Sequence, residues 1–204
     1  MINKELEVPD VYRDWEKVYS NKSTPWDVNQ SEDELVRLVK GKIVKPCKVL
    51  ELGCGHGNDS IFLAKNGFEV TAIDISNNAI GEAKKRAEKN GVKIKFLVED
   101  ASQLNSLKET FQFIYDRACF HFIPKEKRAG YLTNIKRLLK KGGYFVLIAS
   151  SDQGDVKGPY HFSKEDIEQL FRNEFEILEI RLITLEQHKE KPKPYFCLMR
   201  TRQL

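Results

Sequence analysis

Glycine stands at positions 53, 55 and 57, in a stretch from Val49 to Asp59 that reads VLELGCGHGND. Alternate glycines let the chain take positive φ and let a ligand approach the backbone without meeting a Cβ. Placed between a strand and a helix, such a loop suits a nucleotide-like ligand. Acidic side chains follow at fitting intervals. Asp74, closing AID, can accept two hydrogen bonds from ribose hydroxyls, and Asp100, in VEDAS, can meet an adenine amine. Each acid also has a plain structural reading as a helix N-cap.

The spacing separates two ligand classes. A dinucleotide fingerprint runs G-x-G-x-x-G and seats a pyrophosphate on the helix N-terminus. Here it is G-x-G-x-G, with Asn58 in the last glycine's place. Asp59 at the helix start would repel a pyrophosphate, and Glu51 adds a second negative charge beside it. Two carboxylates suit a ligand carrying an ammonium group better than one carrying phosphates. The loop therefore favours S-adenosylmethionine over NAD.

Alternating strands and helices must position these residues. KVLEL, FEVTAID, VKIKFLVED, FQFIYDRA and YFVLIAS read as five strands. Helices are expected over Asn58–Lys65, Asn77 to about Asn90, and Lys125–Lys140, the last ended by Gly142-Gly143. That rhythm implies a Rossmann-like, doubly wound α/β sheet with parallel strands. After a helix from Ser163 to Arg172, FEILEIRLITL and YFCLMRT are joined by a polar linker, Glu186–Pro194, too short for a crossover helix. They should pair antiparallel.

Ahead of the sheet, a first helix is expected over Val11–Tyr19, then a polar loop holding Pro25 and Trp26. A capping box, Ser31-Glu32-Asp33-Glu34, should open a second helix with Leu35, Leu38 and Val39 inward. The expected organisation is one domain over 1–204. It comprises an N-terminal helical lid over 1–44 and an α/β core over 45–204, with an acceptor-side loop at about 152–162.

Bulk properties narrow the class. The chain has 204 residues, 41% hydrophobic and 31% charged, which fits a globular protein. A net charge of +4 from 34 basic and 30 acidic residues describes a mixed-charge surface and is too weak to argue for nucleic acid, so no nucleic-acid partner is expected. The N-terminal MINKELEVPD has no apolar core of a signal peptide, and no apolar run approaches a membrane span of about 20 residues. Four dispersed cysteines without Cys-x-x-Cys suit a reduced, cytoplasmic protein. Cys54-x-His56 and Cys119-x-His121 lack regular zinc spacing, so no metal is expected.

Taken together, ELGCGHG, the acid in AIDIS, the VEDA segment and the terminal strand pair resemble a class I S-adenosylmethionine-dependent methyltransferase. YSNKSTPWD, ending at Trp26-Asp27, is similar to the N-terminal loop of plant-type halide/thiol methyltransferases. YDRACFHFIPKEKRAGY and GPYHFSKEDIEQLF look like segments of the thiopurine group, and the tellurite-resistance enzymes share the general plan. The resemblance implies that Glu51, Gly53, Gly55, Gly57, Asp74, Ile75, Asp100, Ala101 and Arg117 border S-adenosylmethionine and its product S-adenosylhomocysteine.

Trp26 would cover the site, supported by Trp15 and Tyr19, although Trp15 also reads as a core-facing helix residue. Arg117 would lie near the acceptor and hold an anion or thiolate; its plain alternative is an ion pair with Asp116. His121 and His161 would line the acceptor pocket or relay a proton. The acceptor would be a small molecule, a thiol or similar soft nucleophile first, and the protein a monomer or weak homodimer.

Two other classes stay open. Tyr160-x-x-x-Lys164 mimics the pair of short-chain dehydrogenases, so an NAD-dependent oxidoreductase is the enzyme alternative. A methyltransferase-like domain that binds the cofactor only to regulate a partner is the non-enzymatic one.

Overall fold

A computed structural model describes residues 14–22, 24–153, 160–184 and 193–202. The expected helix start at Val11, the middle of the acceptor-side loop (154–159) and most of the linker after Glu186 lie outside them. Seven strands form one sheet: β1 (Lys48–Leu52), β2 (Glu69–Asp74), β3 (Lys95–Val98), β4 (Phe111–Arg117), β5 (Leu139–Ala149), β6 (Phe175–Leu182) and β7 (Tyr195–Thr201). Their order is β3-β2-β1-β4-β5-β7-β6. The first five pair parallel; β7 pairs antiparallel with both β5 and β6.

Among the described residues six α-helices accompany the sheet: α1 (Trp15–Ser20), α2 (Asp33–Lys40), α3 (Asn58–Lys65), α4 (Asn77–Lys89), α5 (Arg128–Leu138) and α6 (Lys164–Phe171). Alternate strand residues feed two apolar clusters, one on each face. Leu50, Ile114, Phe145 and Leu147 pack with Tyr131, Ile135 and Phe171 of α5 and α6. Val49, Phe113, Tyr115 and Val146 pack with Leu35, Leu38, Ile61, Leu63 and Ala83 of α2, α3 and α4. Each large side chain buried this way stabilises the fold by about 1.5–3 kcal/mol, before ordering entropy is set against it. The strand order reverses at β1, which is where an open α/β sheet leaves a crevice at its strand ends.

Three expectations need correction. Gly142-Gly143 do not stop a helix: α5 ends at Leu138, and both glycines lie inside β5, beside a register irregularity against Phe111 and Phe113. Gly142 takes φ 71°, and a Cβ on Gly143 would stand 2.9 Å from the Gln112 carbonyl, so the irregular pairing itself requires small residues. The capping box before α2 is not formed. Ser31 Oγ instead donates to the Asn58 carbonyl and the Glu32 N–H donates to Asp59, because the helix start is docked on α3. The capping box that does form opens α6, between Ser163 and Asp166. The third strand is also shorter than VKIKFLVED, covering Lys95–Val98. All four cysteines are free thiols. Among the described residues no helix is long and apolar enough to cross a membrane.

Candidate active site

Gly53, Gly55 and Gly57 leave β1 with φ of 65°, 52° and 81°, three left-handed residues that β-carbon-bearing side chains would strain. Neighbours also crowd the loop. A Cβ on Gly53 would stand 2.7 Å from Cys119 Cβ, and one on Gly57 would stand 3.2 Å from Ala83. Asp74 braces the loop from β2: one oxygen accepts the Gly55 N–H at 2.8 Å, the other the Ser76 N–H at 2.9 Å. Burial raises its pKa, while those two N–H bonds partly offset the shift. Ile75, next in the chain, leaves its side chain 49% exposed, an apolar surface at the strand end.

Asp100 behaves as the local cap of its turn. Oδ1 accepts from the Ser102 N–H and hydroxyl, and Oδ2 accepts from Lys127 Nζ at 3.2 Å. Burial would raise its pKa, but the Ser102 and Lys127 bonds hold it below the usual range. Ala101 is buried, and its carbonyl accepts from Asn134.

Glu51 and Asp59 do not face outward as two free carboxylates. Glu51 is 3% exposed and accepts from the Ser60 hydroxyl. Asp59 accepts the Glu32 N–H at 2.8 Å and the Tyr115 hydroxyl at 3.2 Å. Arg117 lies between Asp59 and Glu32, Nε 3.5 Å from Asp59 and Nη1 3.6 Å from Glu32. Its expected plain partner, Asp116, points to the opposite face, as alternate strand residues do. There Asp116 accepts from the Cys119 N–H, the Phe120 N–H and the Tyr131 hydroxyl, and burial pushes its pKa up to about 6.

This cluster sets three buried carboxylates against one guanidinium. Burial pushes Glu32 up to about 7, with the Asp59 charge adding to it and Arg117 opposing. Burial and the Asp59 charge likewise raise Glu51 well above the usual range. Arg117 thus joins the start of α2 to the core through its ion pairs with Glu32 and Asp59.

An aromatic cluster packs on the loop, with the Tyr19 ring 5.1 Å from that of His56. Trp15, Tyr19 and Trp26 meet with ring centroids 6.1–6.4 Å apart, and Trp15 packs edge-on against Phe122 at 4.8 Å. Trp15 therefore belongs to the lid rather than to either core cluster. The Trp26 side chain is hydrogen-bonded to the Tyr19 hydroxyl, whose pKa burial and the Asp74 charge raise strongly. His121 is buried; its Nδ1 accepts the Ser150 N–H at 3.0 Å. Burial and the nearby His161 charge lower it to about 3. The ring is thus neutral with its proton on Nε2, and its accepting nitrogen is taken by backbone. It anchors the 120–122 turn to the end of β5; relay of a proton finds no free acceptor there.

Comparison with known proteins then decides the family. Residues 12–198 match the thiopurine S-methyltransferase family. The chain belongs to the thiopurine S-methyltransferase family. It is 31% identical over 152 residues to a probable S-adenosyl-L-methionine-dependent methyltransferase, TehB, from Haemophilus influenzae, a match covering 72% of this chain and 52% of that protein. The chain thus spans about half the length of that relative. The crystal structure of that TehB superposes with a TM-score of 0.71 at 26% identity, covering 93% of this chain and 67% of the other.

Thiocyanate methyltransferase 1 of Arabidopsis thaliana is 28% identical over 147 residues, 71% of this chain and 64% of that one. The human EEF1A lysine methyltransferase 2 is 31% identical over 170 residues, 79% of this chain and 68% of the relative. Within the thiopurine S-methyltransferase family, the residues that sequence reasoning missed in this member are Glu32, Arg86 and the pairing role of His56. Glu32 lies within Ser31-Glu32-Asp33-Glu34 and Arg86 within Lys84-Lys85-Arg86, where one more charge carries no signal; only His56, inside the glycine loop, stands out by its type.

Proposed function

We propose that the protein is an S-adenosylmethionine-dependent methyltransferase acting on a small, soft nucleophile, a thiol or a related anion first. The observation that carries this reading is the glycine loop itself: three left-handed glycines braced by Asp74, beside an exposed Ile75 and beneath an aromatic lid. Gly53, Gly55 and Gly57 would border the amino-acid part of the cofactor, Asp74 the ribose, and Ile75 with Ala101 the adenine. Asp100 would contribute through the turn it caps, and Glu51, at the end of β1, would border the amino-acid part with the glycines.

The cofactor supplies an activated methyl on a sulfonium, so this chain need only bind, align and exclude water. Trp26, Trp15 and Tyr19 present aromatic faces, which attract a cation and shed water from it. Among the described residues no side chain is placed as a strong base, which suits an acceptor that reaches the site already ionised. His121 would wall the acceptor side as a neutral ring, and Arg117 would set the position of the lid helix. The thiocyanate and thiol methyltransferases among the relatives support the soft-nucleophile reading. The same reading treats the chain as one domain, cytoplasmic, and a monomer or weak homodimer.

One observation favours a second reading, a protein lysine as acceptor: the similarity to a lysine methyltransferase. A radiolabelled methyl-transfer screen across thiols, halides, metalloid anions and a lysine-rich protein distinguishes the two. Label entering the small thiols supports the first reading; label confined to protein replaces it with the second.

A further inference from the structure

Four hydrogen bonds converge on Asp27, the residue after Trp26. Arg86 of α4 takes both oxygens, Nη1 to Oδ1 at 3.0 Å and Nη2 to Oδ2 at 2.8 Å. His56, inside the glycine loop, brings Nδ1 to 2.5 Å from Oδ2. Asn58, which starts α3, donates to Oδ1 at 2.8 Å. The Asp27 side chain is only 10% exposed, and that of Arg86 22%. Burial would raise the Asp27 pKa, but the bonds from Arg86, His56 and Asn58 outweigh it and hold the carboxyl well below the usual range.

A carboxylate spent in this way has no oxygen left for a ligand. What it fixes is its own stretch of backbone. A bidentate guanidinium sets both distance and plane, more specifically than a point charge could. Trp26, one residue earlier, is thereby held against Tyr19, and the His56 ring packs on Tyr19 at 5.1 Å.

The other end of the lid is tied separately. Glu16 of α1 accepts from the Ser76 hydroxyl at 2.9 Å, the Asn77 N–H at 2.6 Å and the Asn78 side chain at 2.8 Å. Both ties end on the segments proposed to hold the cofactor: His56 and Asn58 in the glycine loop, Ser76 to Asn78 just beyond Asp74.

We propose that Asp27 is a positioning residue that clamps the aromatic lid onto the glycine loop, so that lid closure and cofactor occupancy stabilise each other. The identity of the cofactor rests on the methyltransferase reading; the clamp rests on contacts within the chain. A ligand that orders the loop orders His56 and Asn58, hence the partners of Asp27, and the coupling must run equally in reverse.

The chain carries its own reporter, because its two tryptophans, Trp15 and Trp26, both lie in the lid. Asp27→Asn keeps the shape and removes the charge; Arg86→Gln removes the opposite one. In each variant we would record tryptophan emission, amide hydrogen exchange and calorimetric binding of S-adenosylhomocysteine. The clamp predicts red-shifted emission and faster exchange in 14–22 and 24–30, with β1, β4 and β5 still protected. It also predicts a dissociation constant raised at least about fivefold, the lower end of ordinary site coupling.

The double variant should add little to either single one, and saturating S-adenosylhomocysteine should restore lid protection. Wild-type emission and lid exchange, additive effects in the double variant, or loss of protection throughout the sheet would each overturn the clamp. Should Asp27→Asn not fold, His56→Gln tests the same joint from the loop side. A loosened lid in variants of a protein that never binds S-adenosylhomocysteine would keep Asp27 as the clamp of the lid but overturn both its coupling to the cofactor and the cofactor reading. Normal binding with an unmoved lid would do the reverse.

Discussion

The hydroxyl of Tyr19 lies 2.9 Å from the point where a Cβ on Gly55 would stand. Tyr19 and the loop are therefore in contact across a space that only glycine leaves open. The contact makes Gly55 a place where a single methyl group should move the lid.

Gly55→Ala should shift tryptophan emission to the red and weaken S-adenosylhomocysteine binding about tenfold, through displaced Tyr19 and a residue forced to φ 52°. In a Tyr19→Ala background the same change should cost only the backbone strain, about 1–2 kcal/mol of thermal stability. Equal emission shifts in both backgrounds would show that the Tyr19 contact does not matter.

Asp74→Ala removes a carboxylate that accepts two backbone N–H bonds and is proposed to meet the ribose. Cofactor binding should fall by about 1–3 kcal/mol, the cost of leaving such donors unpaired. Calorimetric titration checks it, and an unchanged affinity would take Asp74 out of the site.

Ile75→Ala trims an apolar side chain that is 49% exposed, so folding should lose little, well under about 1 kcal/mol. If adenine packs on it, binding of S-adenosylhomocysteine should weaken several-fold at an unchanged unfolding midpoint. A shift in the midpoint alone would mean that Ile75 supports the fold and not the ligand.

Glu32 carries a pKa raised from 4.5 to about 7 in the folded protein. A raised carboxyl pKa means the folded state holds the proton more tightly than the unfolded one. Its contribution to stability is complete below about 4.5 and is lost as pH rises through about 7. Glu32→Gln stays neutral throughout, so the variant should gain thermal stability relative to wild type at pH 8 and little at pH 4. A constant difference across that range would show that Glu32 does not titrate with the fold.

Much of the sheet was legible before its coordinates because two periodicities carry it. FEVTAID and FQFIYDRA read as buried parallel strands, and a 186–194 stretch too short for a crossover helix implies the antiparallel pairing of β6 and β7. The glycine loop was legible because its chemistry lies in consecutive residues. What the sequence concealed is pairing across distance. Arg117 finds Glu32 and Asp59, and Asp27 finds Arg86, through helices that docking alone brings together. The local pattern S-E-D-E suggested a capping box, but α3 offered Ser31 and Glu32 stronger partners. Gly142-Gly143 looked like a helix stop because a bulge within a strand needs the same residue type.

The most direct measurement is calorimetric titration of the purified protein with S-adenosylhomocysteine, with NADH run in parallel. A glycine loop built for S-adenosylmethionine should bind S-adenosylhomocysteine in the micromolar range and NADH not at all. Binding of NADH with no heat from S-adenosylhomocysteine would contradict it, since the same glycine loop would then be holding a pyrophosphate beside Asp59.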